Sequence, residues 1–313
     1  MDSIQVKGLD KPWTRITFGC WQIAPSGGWG DACTPEEADR VVKKAYEGGI
    51  RAFDTAEGYG DGESERRLAR ALGARRDDVL IISKIWPDAE LTLSAYRQRL
   101  DNTLKALNRD YVDVYLMHWP ADELSSADNS KKMVELMVAL RESGKAKTIG
   151  LSNFRVADLK RLGPGAGEFV VNQVPYNLLQ REYEGEILKL CQAEGMGYMA
   201  YSPTGRGLFG ARIDDAARRF PTRQQYYLYQ EPYFSKTEET RGVLAEIAAE
   251  LNTSPINVSV AWVLRQPNIT TAVVGSRKAP QIEEISKAAS LSLTPDQLRR
   301  LNEVSERFQR AVS

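Results

Sequence analysis

Eight times along this chain, a short run of β-branched and aromatic residues is followed by a longer stretch with helical spacing. That alternation restricts the fold more than any other feature of the sequence. The runs are RITFGCW (15–21), IRAFDTA (50–56), VLIISK (79–84), YVDVYLMH (111–118), AKTIGLSN (146–153), FVVNQVPYN (169–177), GYMAYSPT (197–204) and ITTAVVG (269–275). Helical stretches between or after them cover 35–47, 93–107, 130–143, 184–194 and 280–289, the first opening on Thr34-Pro35, a cap followed by a first-turn proline. Strand and helix in alternation mean parallel strands joined by right-handed crossovers. With eight of them, the chain is predicted to close into a (β/α)8 TIM barrel, a single domain over residues 1–313. An open doubly wound sheet is the alternative the pattern leaves.

The strand ends Asp54, Lys84, His118 and Ser152 follow one another at about the length of one βα unit. From Tyr201 to Gly275 the interval is roughly twice that. The excess holds a loop over 206–237, rich in Arg, Gly and Tyr, which is expected to clamp over a ligand at the carboxyl end of the barrel, with Tyr226 and Tyr227 over the opening. After the last barrel helix, Thr294-Pro295 opens an extra C-terminal helix expected against the outside or rim of the barrel. Residues 1–14 are too short for a domain and are expected to plug the amino end.

Forty-two basic residues balance forty-two acidic ones. No net field favours nucleic acid or an anionic membrane, so a small molecule is the expected partner. Three cysteines, Cys20, Cys33 and Cys191, form no CxxC pair and no even set, which argues against a disulfide framework and a structural zinc site. No metal is expected. The N-terminus lacks a continuous apolar stretch and no segment is long enough to span a bilayer, so the expected location is cytoplasmic. The sequence leaves the oligomeric state open.

In a parallel barrel every strand delivers its carboxyl end to the same face. Asp54, Lys84 and His118, the only histidine, end three successive strands, and Tyr59 follows in the loop after the first of them. Singly, Asp54 reads as a helix cap, Tyr59 as a loop aromatic, Lys84 as a strand-end charge and His118 as a core residue. Together they suggest proton transfer. An aspartate lets a lysine tolerate burial, and the ammonium favours phenolate. Lowering a phenol from about 10 to about 7 takes about 4 kcal/mol, which an ammonium about 4 Å away supplies at an effective dielectric of about 20. The imidazole would hold and polarise a carbonyl oxygen. No side chain delivers hydride, so a nicotinamide cofactor is required.

FDTAEGYGDGESE, IISKIW, YLMHWP, IGLSNF, VVNQVPYN, AYSPTGRGLF and VVGSRKAPQIEE stand in this order along nearly the whole chain, and with them the sequence resembles the aldo-keto reductase superfamily, including bacterial reductases and potassium-channel β-subunits. The resemblance implies a (β/α)8 barrel that binds NADPH/NADP+, with catalytic residues matching Asp54, Tyr59, Lys84 and His118. Tyr59 would donate the proton and His118 orient the carbonyl. It also implies Ser152, Asn153 and Gln173 on the nicotinamide carboxamide, with Tyr201 stacked on the ring. Ser202, Pro203, Thr204, Gly205, Arg206 and Gly207 would line the pyrophosphate, with Arg212 and Arg223 closing over it. Gly275, Ser276, Arg277 and Lys278 would take the 2′-phosphate, with Gln281 and Glu284 near adenine and ribose. Cys20, Trp21 and Asp54 complete the implied cofactor contacts. Where the family usually places asparagine against adenine, this chain has Ile285. Trp21, Trp86 and Trp119 follow three strand ends and would wall the substrate pocket.

The reading is therefore an NADPH-dependent oxidoreductase that reduces an aldehyde or ketone to an alcohol. Two others compete with it. One is a cofactor-holding regulatory subunit similar to channel β-subunits; the other is a barrel isomerase or lyase that uses GSRK for a substrate phosphate.

Overall fold

The alternation of parallel strands and covering helices closes on itself in a computed structural model that describes residues 1–25, 33–121, 124–210, 213 and 215–312. The barrel strands are β1 Ile16–Gly19, β2 Ala52–Asp54, β3 Leu80–Ile85, β4 Val112–Met117, β5 Ala146–Ser152, β6 Val171–Pro175, β7 Gly197–Tyr201 and β8 Ile269–Val274. Each pairs in parallel with the next, and β8 pairs with β1, so no strand edge is left open. All eight expected strands are present, and the open sheet is excluded.

Side chains alternate across each strand. Leu80 and Ile82, Val114 and Leu116, Ala52, Val171, Met199 and Val273 point inward and form one buried cluster. Their neighbours Ile81, Ile85, Tyr115, Met117, Ile149, Leu151, Val174 and Tyr198 point outward into a second cluster beneath the helices. Complete burial of one aliphatic side chain is worth about 1.5–3 kcal/mol, so both layers contribute heavily. Interior space is tight: a Cβ on Gly150 would come within 2.4 Å of Leu116 Cδ2 and 2.9 Å of Val171 Cγ2.

An antiparallel hairpin of Ser3–Ile4 with Trp13–Thr14 lies at the amino end. Its Leu9 and Trp13 join the inward cluster, and Trp13 Nε1 donates to Thr17 Oγ1 at 2.9 Å. This is the expected plug.

Among the described residues the α-helices longer than four residues are α1 Pro35–Glu47, α2 Glu63–Leu72, α3 Leu93–Leu107, α4 Ala127–Glu142, α5 Val156–Leu162, α6 Glu186–Ala193, α7 Glu238–Glu250, α8 Pro255–Arg265, α9 Ala279–Ser286 and α10 Pro295–Val312. The start of α1 is a reciprocal capping box between Thr34 and Glu37. The doubled interval before β8 holds two helices, α7 and α8, in addition to the loop. The C-terminal helix α10 packs outside them: Trp262 Nε1 donates to Asn302 Oδ1 at 2.8 Å and Gln297 Nε2 to Glu250 Oε2 at 2.9 Å. It also reaches the loop after β6 through the Ser305 hydroxyl, which donates to the Leu178 carbonyl. Among the described residues no helix is long and apolar enough to cross a membrane.

One helix carries a buried charge problem. Glu65 on α2 is 1% exposed, accepts the Ser83 hydroxyl at 2.6 Å, and burial pushes its carboxyl from 4.5 up to about 7. A carboxyl raised by folding stays protonated in the native state while the unfolded chain ionises. Stability is therefore lost as pH rises from about 4.5 through about 7, by about 3 kcal/mol in full. Glu65→Gln keeps a hydrogen-bonding group without the charge. Urea titrations should find the variant at least as stable as the parent at pH 8 and its stability less dependent on pH between 5 and 8; parallel pH curves would refute this.

Candidate active site

The inward parity that fills the barrel with aliphatic residues places polar ones at its carboxyl end. Beyond Leu80 and Ile82 comes Lys84; beyond Val114 and Leu116, His118; beyond Ala52, Asp54; beyond Val171, Gln173; beyond Met199, Tyr201. Strand register aligns them, with Gly19 opposite Asp54 and Ser152 opposite Gln173. A cavity of about 920 Å³ opens on this rim.

Lys84 lies fully buried behind the cavity wall. Its ammonium donates to Asp54 Oδ2 at 2.8 Å, to the Thr55 carbonyl at 2.8 Å and to the Tyr59 hydroxyl at 3.2 Å. Asp54 Oδ1 accepts from Gln173 Nε2 at 2.8 Å. Asp54, Tyr59 and His118 line the cavity, and the Tyr59 and His118 ring centroids are 5.7 Å apart. The four residues singled out from the sequence thus converge.

Electrostatics differ from the sequence-based expectation in one respect. Burial works against the Lys84 charge, but Asp54 and Tyr59 outweigh it and hold Lys84 above its ordinary value. Burial of Tyr59 outweighs the Lys84 ammonium, so the phenol is raised above 10 instead of lowered. Burial, reinforced by Lys84, drives His118 well below 6.5. Near neutral pH the cluster is an ammonium, a neutral phenol and a neutral imidazole. His118 Nδ1 is buried and has no hydrogen-bond partner among the described residues. An oxygen held between Tyr59 and His118 would meet a proton donor backed by a fixed positive charge.

From this point the cavity extends along the rim to the start of α9. Ser152, Asn153, Gln173 and Tyr201 line its floor. Asn153 Nδ2 donates to the His118 carbonyl at 3.1 Å and to Ser152 Oγ at 3.0 Å, while the Tyr201 hydroxyl donates to Asn153 Oδ1 at 2.9 Å. Asn153, Ser202 and Arg206 have φ of 66°, 54° and 56°, conformations seldom adopted outside glycine and found where surrounding contacts enforce them. Ser202, Pro203, Thr204, Arg206 and Gly207 form one wall; Gly275, Ser276, Arg277, Lys278, Gln281 and Glu284 form the far end. At that end Ser276 Oγ donates to Gln281 Oε1 at 2.6 Å and accepts from the Lys278 N–H at 3.0 Å. Gly275 has no room for a side chain, because a Cβ there would stand 1.9 Å from Gln22 Oε1 and 2.6 Å from the Gly19 carbonyl. Ile285 also lines the cavity.

Some expected contacts fall elsewhere. Cys20 is fully buried in the core beneath the helices and does not line the cavity. The cavity-lining residues on either side of it are Gly19 and Trp21. Gly205 turns behind the wall, with Leu208 and Phe209 where its side chain would be. Arg212 lies outside the described residues. The long loop is fastened down: Tyr226 is buried, donating to Gln180 Oε1 at 2.7 Å and accepting from Asn177 Nδ2 at 3.1 Å. Tyr226 therefore anchors the loop instead of covering the opening, and the Tyr227 hydroxyl turns to the Leu179 carbonyl at 3.3 Å. Among the described residues of the loop, Arg206, Gly207, Phe220 and Arg223 line the cavity, with Arg223 Nε donating to the Arg206 carbonyl at 3.0 Å.

Trp21, Trp86 and Trp119 stand at the mouth, the last two 40% and 42% exposed. Residues the sequence reading missed include Gln22, Gly58, Ser254 and Ile256. Ser254-Pro255 repeats the cap-and-proline signal of α1, which would have located the start of α8 and these last two. Among the described residues no group of three or more His, Cys, Asp or Glu side chains could hold a metal ion.

The family model described as the Aldo/keto reductase family matches residues 15–306. The chain is 30% identical over 312 residues to aldo-keto reductase YhdN of Bacillus subtilis, covering 94% of this chain and 90% of that one. The structure of a glycerol dehydrogenase, AKR11B4 from Gluconobacter oxydans, superposes with a TM-score of 0.84 at 25% identity, covering 98% of this chain and 96% of that one. An aldo-keto reductase from Klebsiella pneumoniae, solved in complex with NADPH, shares the fold with a TM-score of 0.77 at 24% identity over 97% and 96% of the two chains.

Proposed function

This chain belongs to the aldo/keto reductase family, and from that premise we propose that it is an NADPH-dependent oxidoreductase reducing an aldehyde or ketone to an alcohol. The observation that supports this most strongly is the unbroken contact from Asp54 through Lys84 to the Tyr59 hydroxyl, with His118 facing the phenol across the cavity.

The donor set suits a nicotinamide dinucleotide phosphate. Hydroxyl and amide groups of Ser152, Asn153 and Gln173 would hold the carboxamide, and Tyr201 would lie against the ring. Backbone groups of Ser202–Gly207, with Arg206 and Arg223, would take the pyrophosphate. Ser276, Arg277 and Lys278 precede the N-terminus of α9, where backbone N–H groups and cations favour a phosphate. Gln281 and Glu284 would face adenine and ribose, with Ile285 offering apolar contact where the family usually has an amide. NADPH, when bound, supplies the hydride. His118, neutral, donates to the carbonyl oxygen and orients it. Tyr59 gives that oxygen its proton, and Lys84 stabilises the phenolate left behind, its own charge balanced by Asp54. Trp21, Trp86 and Trp119 hold the remainder of the substrate and exclude water.

The test is loss of NADPH absorbance with 4-nitrobenzaldehyde and a panel of other aldehydes. NADPH bound without any turnover across the panel would instead favour a cofactor-holding subunit, and no tightening by NADPH would favour the phosphate-using isomerase or lyase. Because Tyr59 is raised above 10 and His118 lies well below 6.5, neither changes protonation between about pH 7 and 9. The reduction kcat should be flat across that range and fall only in stronger alkali, as the phenol ionises. A midpoint near pH 7 would remove this assignment of the acid.

A further inference from the structure

Two loops meet at the cavity mouth, the one after β2 that carries Tyr59 and the one after β3 that carries Trp86, and a single carboxylate joins them. Glu57 Oε1 accepts the Trp86 backbone N–H at 2.6 Å and Arg99 Nε at 2.9 Å. Arg99, on α3, also grips Asp88, two residues beyond Trp86. Glu57 is tied through its own backbone as well, since its carbonyl accepts from the Gly62 N–H at 2.8 Å. Its side chain is only 15% exposed, against 63% for Asp88. The Asp88 arm is therefore largely screened by solvent, and the Glu57 arm is the stronger one. Burial raises the Glu57 carboxyl above 4.5, while the Trp86 N–H and Arg99 work to keep it ionised.

What this clamp holds is an indole with little packing of its own. Trp86 is 40% exposed, stands edge-on to the His118 imidazole with centroids 5.1 Å apart, and lies over Gly58, where a Cβ would touch its ring at 3.5 Å. We infer that Glu57 is a positioning residue which, with Arg99, fixes the Trp86 backbone so that its indole forms a rigid wall against His118, and thereby selects carbonyl substrates bearing an aromatic or bulky apolar group. The selectivity half of this rests on the reductase reading above; the clamp half does not. Small aliphatic aldehydes leave the wall untouched and are indifferent to it.

The clamp is read without turnover. The protein is labelled with 5-fluorotryptophan, the Trp86 resonance among the six tryptophans is assigned with Trp86→Phe, and 19F spectra are compared for Glu57→Gln, Arg99→Ala and Arg99→Lys. The Trp86 resonance should shift and broaden in Glu57→Gln and Arg99→Ala and return part of the way in Arg99→Lys, with the others in place. Should Glu57→Gln disturb every indole, the partly exposed Arg99→Ala decides. With NADPH, KM for 4-nitrobenzaldehyde should rise about tenfold in Glu57→Gln, with kcat and NADPH affinity within about threefold and a small aliphatic aldehyde unaffected. An unmoved Trp86 resonance in both Glu57→Gln and Arg99→Ala would overturn the clamp. A moved resonance with equal KM changes for large and small substrates would overturn the selectivity. A moved resonance in a protein without any turnover would leave the clamp standing and remove the reductase reading instead.

Discussion

Tyr59→Phe is expected to lower the reduction kcat by about 10²–10⁴-fold, the usual contribution of a positioned general acid. The variant should fold, because Lys84 keeps two of its three acceptors, Asp54 Oδ2 and the Thr55 carbonyl, and the phenyl ring fills the same space. NADPH affinity should change less than about threefold, since the lost hydroxyl is the one that accepts from Lys84. Stopped-flow hydride transfer together with a fluorescence titration of NADPH separates the two quantities. Unchanged hydride transfer would mean that the proton comes from another group.

Lys84→Met should harm both stability and activity. Methionine replaces the buried stem but leaves the Asp54 carboxylate, 3% exposed, with the Gln173 amide and no cation. Removing one partner of a buried ion pair costs about 3–5 kcal/mol, which in a domain of this size lowers Tm by roughly 5–8 degrees. Adding Asp54→Asn removes the stranded charge and should recover most of that loss. Activity should stay low in the double variant, because the phenolate formed in each turnover would have no ammonium beside it. Calorimetry on the two singles and the double gives the coupling energy. Additive losses would show that Lys84 and Asp54 do not support each other.

The barrel was readable because parallel strands buried on both faces appear as apolar runs, and the start of α1 because Thr34-Pro35 marks a cap followed by a first-turn proline. Helix α2 was hidden. It begins after Gly62 at φ 76°, with no side-chain cap, inside a glycine-rich, acidic stretch that reads as loop. Helices α7 and α8 were absorbed into the long interval before β8. The meeting of Asp54, Lys84 and His118 followed from their strand ends, with Tyr59 in the loop after the first of them, whereas the balance between burial and charge at Tyr59 did not, since desolvation depends on how completely neighbouring elements enclose the phenol. Cys20 shows the limit of adjacency: its side chain faces the helices, while that of the very next residue, Trp21, faces the cavity.

Trp13 and Leu9, by stoppering the amino end of the barrel, make the opposite end a shared doorway. Whatever settles beside Gln173 and Tyr201 and whatever lodges between the rim tryptophans therefore share one cavity and enter from one side of the barrel.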